Sequence, residues 1–326
     1  MDTQSEPLDW KDRKILRELD ENARQNFSKI AKSTRMSKQT IIYRMNNLIK
    51  NKVIKEFITY IDVQALGYTF YDIFFKLKYC SQEEENQMIK SILDMSEVGW
   101  FISTRGEWNL GVCVMAKTPE EFNKILERVL EILGNNTIDY DFFIVIEASQ
   151  LPYKEVLEDY DVKPTFLGKK EAVKLNKKDA KVIKELAKNA RESIINISSK
   201  TKLSIETVRY SIKKLENSGI IQSYKPLIDT IKLGYLWNIM LIKFNYCSDE
   251  KQKEFINFLK SQKQVFYLVK GVGNWSLMIE FHTKDTEEFD NIQRIIKSKF
   301  EKIIRDERII QVLKEHKCIF LPDINV

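Results

Sequence analysis

The sequence is short of the residues from which catalytic and metal sites are usually assembled. Across 326 residues there are two histidines, four cysteines, six prolines and ten glycines. Both histidines, His282 and His316, fall in the second half, so no Cys/His or Ser/His/Asp arrangement can be drawn from them. Cys80, Cys113, Cys247 and Cys318 stand far apart, with no Cys-x-x-Cys spacing. That excludes a zinc site or disulfide framework as the expectation and reads as buried thiols in a reducing compartment. The few glycines form neither GxGxxG nor GxxxxGK[ST], so no phosphate-cradling loop is expected. No apolar run approaches the ~18–20 residues that cross a bilayer. The polar, acidic start MDTQSEPLDWKDRK is unlike a basic-then-apolar signal peptide. The expectations are a cytoplasmic chain, no metal, no cofactor, no membrane contact and no enzymatic activity.

What the chain does have is charge and repetition. Charged residues make up 31% and hydrophobic ones 43%, a globular rather than a disordered balance. The length allows two or more domains. The net charge of +6 says little until its distribution is known.

The chain is one unit written twice. LDWKDRKILRELDENAR, starting at Leu8, aligns with LNKKDAKVIKELAKNAR, starting at Leu175, at an offset of 167 that needs no gap for more than a hundred residues. Under it Asn22-Ala23-Arg24 meets Asn189-Ala190-Arg191, Ser37 meets Ser204 and Tyr43 meets Tyr210. Farther on, Asp62 meets Asp229, Leu66-Gly67-Tyr68 meets Leu233-Gly234-Tyr235, and Gly106 and Trp108 meet Gly273 and Trp275. A unit of this size is too long for a solenoid repeat.

Each unit changes periodicity partway. Asp9 and Asn176 read as N-caps with an acid at the third position, ahead of apolar residues on one helical face. A second short helix and a Ser-capped third follow, which together resemble a helix-turn-helix, with VIKEFITYID and IIQSYKPLID as a wing. The remainder alternates strand, helix, strand, strand, helix, strand, the order of a ferredoxin-like sandwich. Its bare sheet face calls for cover by another module's sheet. The fold class is thus α+β: two tandem units, each a winged helix-turn-helix followed by a βαββαβ domain. The expected boundaries are 1–62 and 63–152 for the first unit, 153–174 for a linker, and 175–229 and 230–326 for the second.

The charge is concentrated. Residues 8–52 carry 12 Lys/Arg against 5 Asp/Glu, and residues 175–219 carry 11 against 5. The two helical modules hold +13, so the rest of the chain sums to −7. Basic helices on an acidic remainder suit binding to phosphates of double-stranded DNA. If Ile41, Met45 and Leu48 face the core, then Lys38, Gln39, Thr40, Tyr43, Arg44, Asn47 and Lys50 lie on or beside the opposite face. Gln and Asn can pair with adenine, Arg with guanine, and Tyr or Lys with phosphate. The second copy offers Glu206, Arg209, Tyr210, Lys213 and Lys214, with Ser211 in place of Arg44. The first copy is therefore expected to dominate sequence reading.

The combination of Leu8-Asp9 with Asp12, Asn22-Ala23-Arg24, Ile30-Ala31, Ser37 through Leu48, Val53-Ile54 and Asp62…Leu66-Gly67 resembles the Lrp/AsnC (leucine-responsive) family of regulators. The βαββαβ half, with the turn Gly106-Glu107-Trp108-Asn109, resembles that family's RAM domain. The resemblance implies a DNA-binding transcriptional regulator that oligomerises through RAM sheets. It also implies a small-molecule effector, such as an amino acid, between RAM domains near Gly106, Trp108, Asn109, Gly273 and Trp275. The family's turn usually reads Gly-x-Tyr-Asp, and its chains usually hold one unit. Two alternatives share the architecture: a siroheme-decarboxylase-like enzyme, and a partner of related regulators that does not itself bind DNA.

Overall fold

A computed structural model describes residues 8–158, 160, 162–168 and 172–324. The first module packs α1 (Trp10–Glu21), α2 (Phe27–Thr34) and α3 (Lys38–Lys50) ahead of β1 (Ile54–Ile61). Each helix starts where a side chain can take up orphaned N–H groups. Asp9 accepts from the Lys11 and Asp12 amides, Asn26 from Lys29 and Ser37 from Thr40. Arg35 closes α2 in the left-handed region at φ 58°, which turns the chain sharply into α3. Ile15, Leu16, Leu19, Ile30, Ile41, Met45 and Leu48 form the buried core.

The ferredoxin-like half follows as β2 (Thr69–Leu77), α4 (Gln82–Leu93), β3 (Val98–Gly106), β4 (Leu110–Ala116), α5 (Pro119–Leu133) and β5 (Thr137–Gln150). Residues 153–174, expected as a linker, are not bare. They carry α6 (Lys154–Leu157) and β6 (Thr165–Leu167), which pairs with β5. Arg17 Nε donates to the Leu157 carbonyl at 2.7 Å, and Val156 and Leu157 are buried with the core of the first module. The second unit repeats the plan with α7 (Lys177–Lys188), α8 (Ile194–Thr201), α9 (Ile205–Asn217) and β7 (Ile221–Ile228). It continues through β8 (Leu236–Phe244), α10 (Asp249–Ser261), β9 (Val265–Gly273), β10 (Leu277–Thr283), α11 (Thr286–Phe300) and β11 (Ile304–Cys318).

The two copies are joined in two ways. First, the wings pair with each other: β1 runs antiparallel to β7, from Ile54 opposite Ile228 to Ile61 opposite Ile221. At the offset of 167, Ile221 is the counterpart of Ile54 and Ile228 of Ile61, so this ribbon has a local two-fold axis across its middle. Second, the sheets close on one another. Each has the strand order 4-1-3-2, and the neighbours run β2-β4-β3-β11-β8-β10-β9-β5 and back to β2. The seams are β3 with β11 and β5 with β9. The result is an eight-stranded closed barrel, four strands from each unit, with no edge left at the seams.

Strand periodicity explains the layers. In β2, Tyr71, Ile73 and Phe75 join the core that includes residues of α4 and α5, while Phe70 and Phe74 belong to the cluster inside the barrel. The sheet faces that were expected to need a second module are covered within one chain.

Candidate nucleic-acid interface and barrel cavity

On α3 the buried side is Ile41, Met45 and Leu48, as the periodicity requires. Lys38, Gln39, Tyr43, Asn46 and Lys50 are exposed, and Thr40, Arg44 and Asn47 are half-buried. Tyr43 stands 68% exposed, far more than a packing tyrosine would. On α9, Glu206, Arg209, Tyr210 and Lys213 are exposed, with Tyr210 at 71%.

Three residues at the margins of these faces behave differently. Arg44 Nη1 donates to Asp9 Oδ2 at 2.7 Å and to Asp12 Oδ1 at 2.9 Å, which ties α3 to the start of α1. In the second copy Lys214 takes that role, bonding Asp179 Oδ2 at 2.6 Å. Ser211, at the position matching Arg44, is buried. The acid at the third position of the first helix thus has a basic partner on the third helix in both units, drawn from a different turn.

Sequence reasoning missed the residues that hold the two modules together. Arg24 Nη1 donates to the Ala190 carbonyl and, at 3.0 Å, to that of Glu192. Arg191 Nη1 donates reciprocally to the Ala23 carbonyl and, at 3.1 Å, to that of Gln25. The Ala23 amide donates to Tyr224 on β7 and the Ala190 amide to Phe57 on β1, both at 2.8 Å. Each wing thereby packs beneath the other unit's helices, and the repeated Asn-Ala-Arg triplet is the clasp. Its repetition in the sequence was the available signal.

The residues expected around an effector do not line the barrel cavity described below. Gly106 and Gly273 sit at the two barrel seams with φ of 130° and 139°, where an added Cβ would meet Ile309 O at 3.1 Å and Phe142 O at 3.0 Å. Trp108 is buried, and Asn109 Oδ1 accepts from the Leu77 amide at 2.7 Å. Trp275 Nε1 donates to Asp141 Oδ2 at 2.8 Å, across the seam between units. The close approaches at Gly106 and Gly273 and the Trp275–Asp141 bond lie at the seams, whereas the Asn109–Leu77 bond lies within the first unit.

A cavity lies inside the barrel instead. Its polar lining includes Asp72 on β2, Glu280 and His282 on β10, Glu315 on β11, the thiols Cys113 and Cys318, and Tyr267 on β9. Trp100, Trp237, Phe266 and Tyr153 are among its aromatic walls, and Tyr60 of β1 and Ile228 of β7 also face it. Glu280 accepts from Trp237 Nε1 at 3.0 Å, and Glu315 accepts from Trp100 Nε1 at 3.2 Å with Lys55 at 3.4 Å. Burial pushes the Asp72 carboxyl up to about 6, against a weaker opposing hydrogen bond with Cys113. Burial raises Glu280 well above the carboxylate range, and the nearby charges of Glu315 and Asp72 raise it further. Burial also pushes His282 down to about 3, so its imidazole is neutral. An acid at the midpoint of an apolar strand, in TFYDIFFKL and LMIEFHT, was the sequence signal for this site.

Among the described residues no helix is long and apolar enough to cross a membrane, and no group of His, Cys, Asp or Glu could hold a metal ion. A winged helix-turn-helix DNA-binding family model matches residues 8–55 and again 175–222. An uncharacterized HTH-type transcriptional regulator of Pyrococcus horikoshii is 31% identical over 131 residues, covering 40% of this chain and 85% of the relative. The HTH-type transcriptional regulator FL11 of the same organism is 29% identical over 146 residues, covering 44% and 93%. Each relative therefore matches about one unit. A crystal structure of the siroheme decarboxylase NirDL shares the fold across both units, with a TM-score of 0.60, 13% identity, and coverage of 95% of this chain and 93% of that one.

Proposed function

The chain belongs to the Lrp/AsnC-like family of winged helix-turn-helix transcriptional regulators, and on that premise we propose that one polypeptide does the DNA-binding work of a dimer. The chain is a DNA-binding regulator; the proposal concerns how it reads its site. The carrying observation is the two-fold β1–β7 ribbon with its Arg24–Arg191 clasp, which fixes α3 relative to α9. Two recognition helices held about a local two-fold axis suit two half-sites related by the same symmetry.

Within each half-site, phosphate contacts are proposed for the exposed Tyr43, Tyr210, Lys38, Lys50, Arg209 and Lys213. Gln39 and Asn47 are the candidates for base reading in the first copy, and Glu206 in the second, as an acceptor from a cytosine amine. Arg44 and Lys214, engaged by carboxylates, act mainly by setting the angle of the third helix. A salt titration of duplex binding tests this: several neutralised phosphates require a steep fall of affinity with salt. A flat dependence would contradict it.

The likeness to NirDL raises an enzymatic reading. A polycarboxylated macrocycle needs cationic groups around it, whereas among the described residues the barrel cavity is lined by three carboxyls and no Lys or Arg. The cavity chemistry favours reading that likeness as one of fold.

A further inference from the structure

We infer that the barrel cavity is a binding site for a small organic cation, an ammonium group on an apolar body. Three carboxyls from three strands, Asp72, Glu280 and Glu315, line one cavity, each less than a tenth exposed. Among the described residues only Glu315 has a basic partner, Lys55 at 3.4 Å. Asp72 has a thiol as its side-chain partner, and Glu280 has the Trp237 indole on one oxygen alone. Burying such groups costs several kcal/mol each unless something compensates them, and a barrel filled with apolar side chains would avoid that cost.

A second observation is independent of the acids. The His282 side chain is 3% exposed, faces the same space and makes no hydrogen bond among the described residues. A neutral imidazole with a free nitrogen is an acceptor for an N–H donor. Trp237 lies edge-on to that ring at 5.5 Å, and Trp100 faces the cavity from the other unit, which adds aromatic surface suited to a cation. Among the described residues these carboxyls form no metal-ligand group, and the aromatic walls beside them suit an organic cation. The cavity is roomier than a single water requires. A small organic molecule fits there.

The test is calorimetric titration of the full chain, without DNA, with three ligands of nearly one shape: benzylamine, benzyl alcohol and benzoate. The amine is expected to bind at least tenfold more tightly than the alcohol, and benzoate not to bind. The Asp72→Asn and Glu280→Gln variants are each expected to weaken the amine at least tenfold while quenching of tryptophan fluorescence by the amine diminishes in parallel. Absence of amine binding, equal binding of alcohol or benzoate, or an amine affinity unchanged in both variants would overturn the assignment. The ligand series on the unaltered chain decides the point even if a variant folds poorly. Because DNA is absent from the titration, its failure leaves the reading of DNA recognition standing.

Discussion

Individual side chains make the sharpest distinctions. Tyr43 and Arg44 are neighbours on α3, yet one is exposed and the other is pinned between Asp9 and Asp12. Tyr43→Ala should lower duplex affinity by roughly fivefold to twentyfold, the ~1–2 kcal/mol of a lost charge-assisted contact, with an unchanged melting temperature. Arg44→Ala should do the reverse in part, costing about 1 kcal/mol of stability for two partly exposed ion pairs. A melting temperature that falls for Tyr43→Ala and holds for Arg44→Ala would reject this division. Inside the barrel, Asp72 holds its proton up to about pH 6, against an ordinary 3.8. The unfolded chain gives up that proton near pH 4, so this group's effect on stability worsens as pH rises from 4 to 6 and then levels off. Asp72→Asn should therefore stabilise the protein by about 1–3 kcal/mol at pH 7.5 and by little at pH 4. Chemical denaturation at the two pH values checks it, and a variant weaker at pH 7.5 would count against the buried acid.

At the scale of elements, much was legible in the sequence and the misses share one cause. Caps at Asp9, Ser37, Asn176 and Ser204 and the 3.6-residue spacing of Ile41, Met45 and Leu48 are local signals, and the structure has those helices. The strand order of each sheet followed from the alternation of strands and helices. What was not legible is which copy each element touches. The wing strands were readable as strands, but the β1–β7 pairing lies between copies, and Arg24 and Arg191 reach 166 to 168 residues along the chain. Arg44 was read as facing DNA for the same reason, since its carboxylate partners lie 32 and 35 residues away on another helix. The clasp makes its own prediction. Arg191→Ala should cost about 1–3 kcal/mol of stability, the usual loss for charged hydrogen bonds to partly buried carbonyls. It should also lower affinity for a two-half-site duplex more than for a single half-site, because the helices lose their fixed spacing. Equal losses on both duplexes would separate the clasp from DNA reading.

For the molecule as a whole, duplication has turned a surface into an interior. The sheet faces that one unit would leave bare are closed into a barrel, and its cavity is lined in part by Tyr60 and Ile228 of the ribbon that spaces the recognition helices. An occupant therefore touches the same ribbon. Linkage requires any change that DNA makes in amine affinity to equal the change the amine makes in DNA affinity. Benzylamine titrated with and without duplex should give different affinities, and identical values would dissociate the cavity from DNA binding. The central claim is that one chain reads two half-sites. It is tested most directly by counting half-sites per chain, with the protein titrated onto a duplex carrying two symmetric half-sites about 34 Å apart and the complex weighed in solution. The account predicts two half-sites occupied per chain, with protection of one of them lost when Arg209 and Lys213 are changed to alanine. One half-site per chain, or protection of both surviving that change, would contradict it.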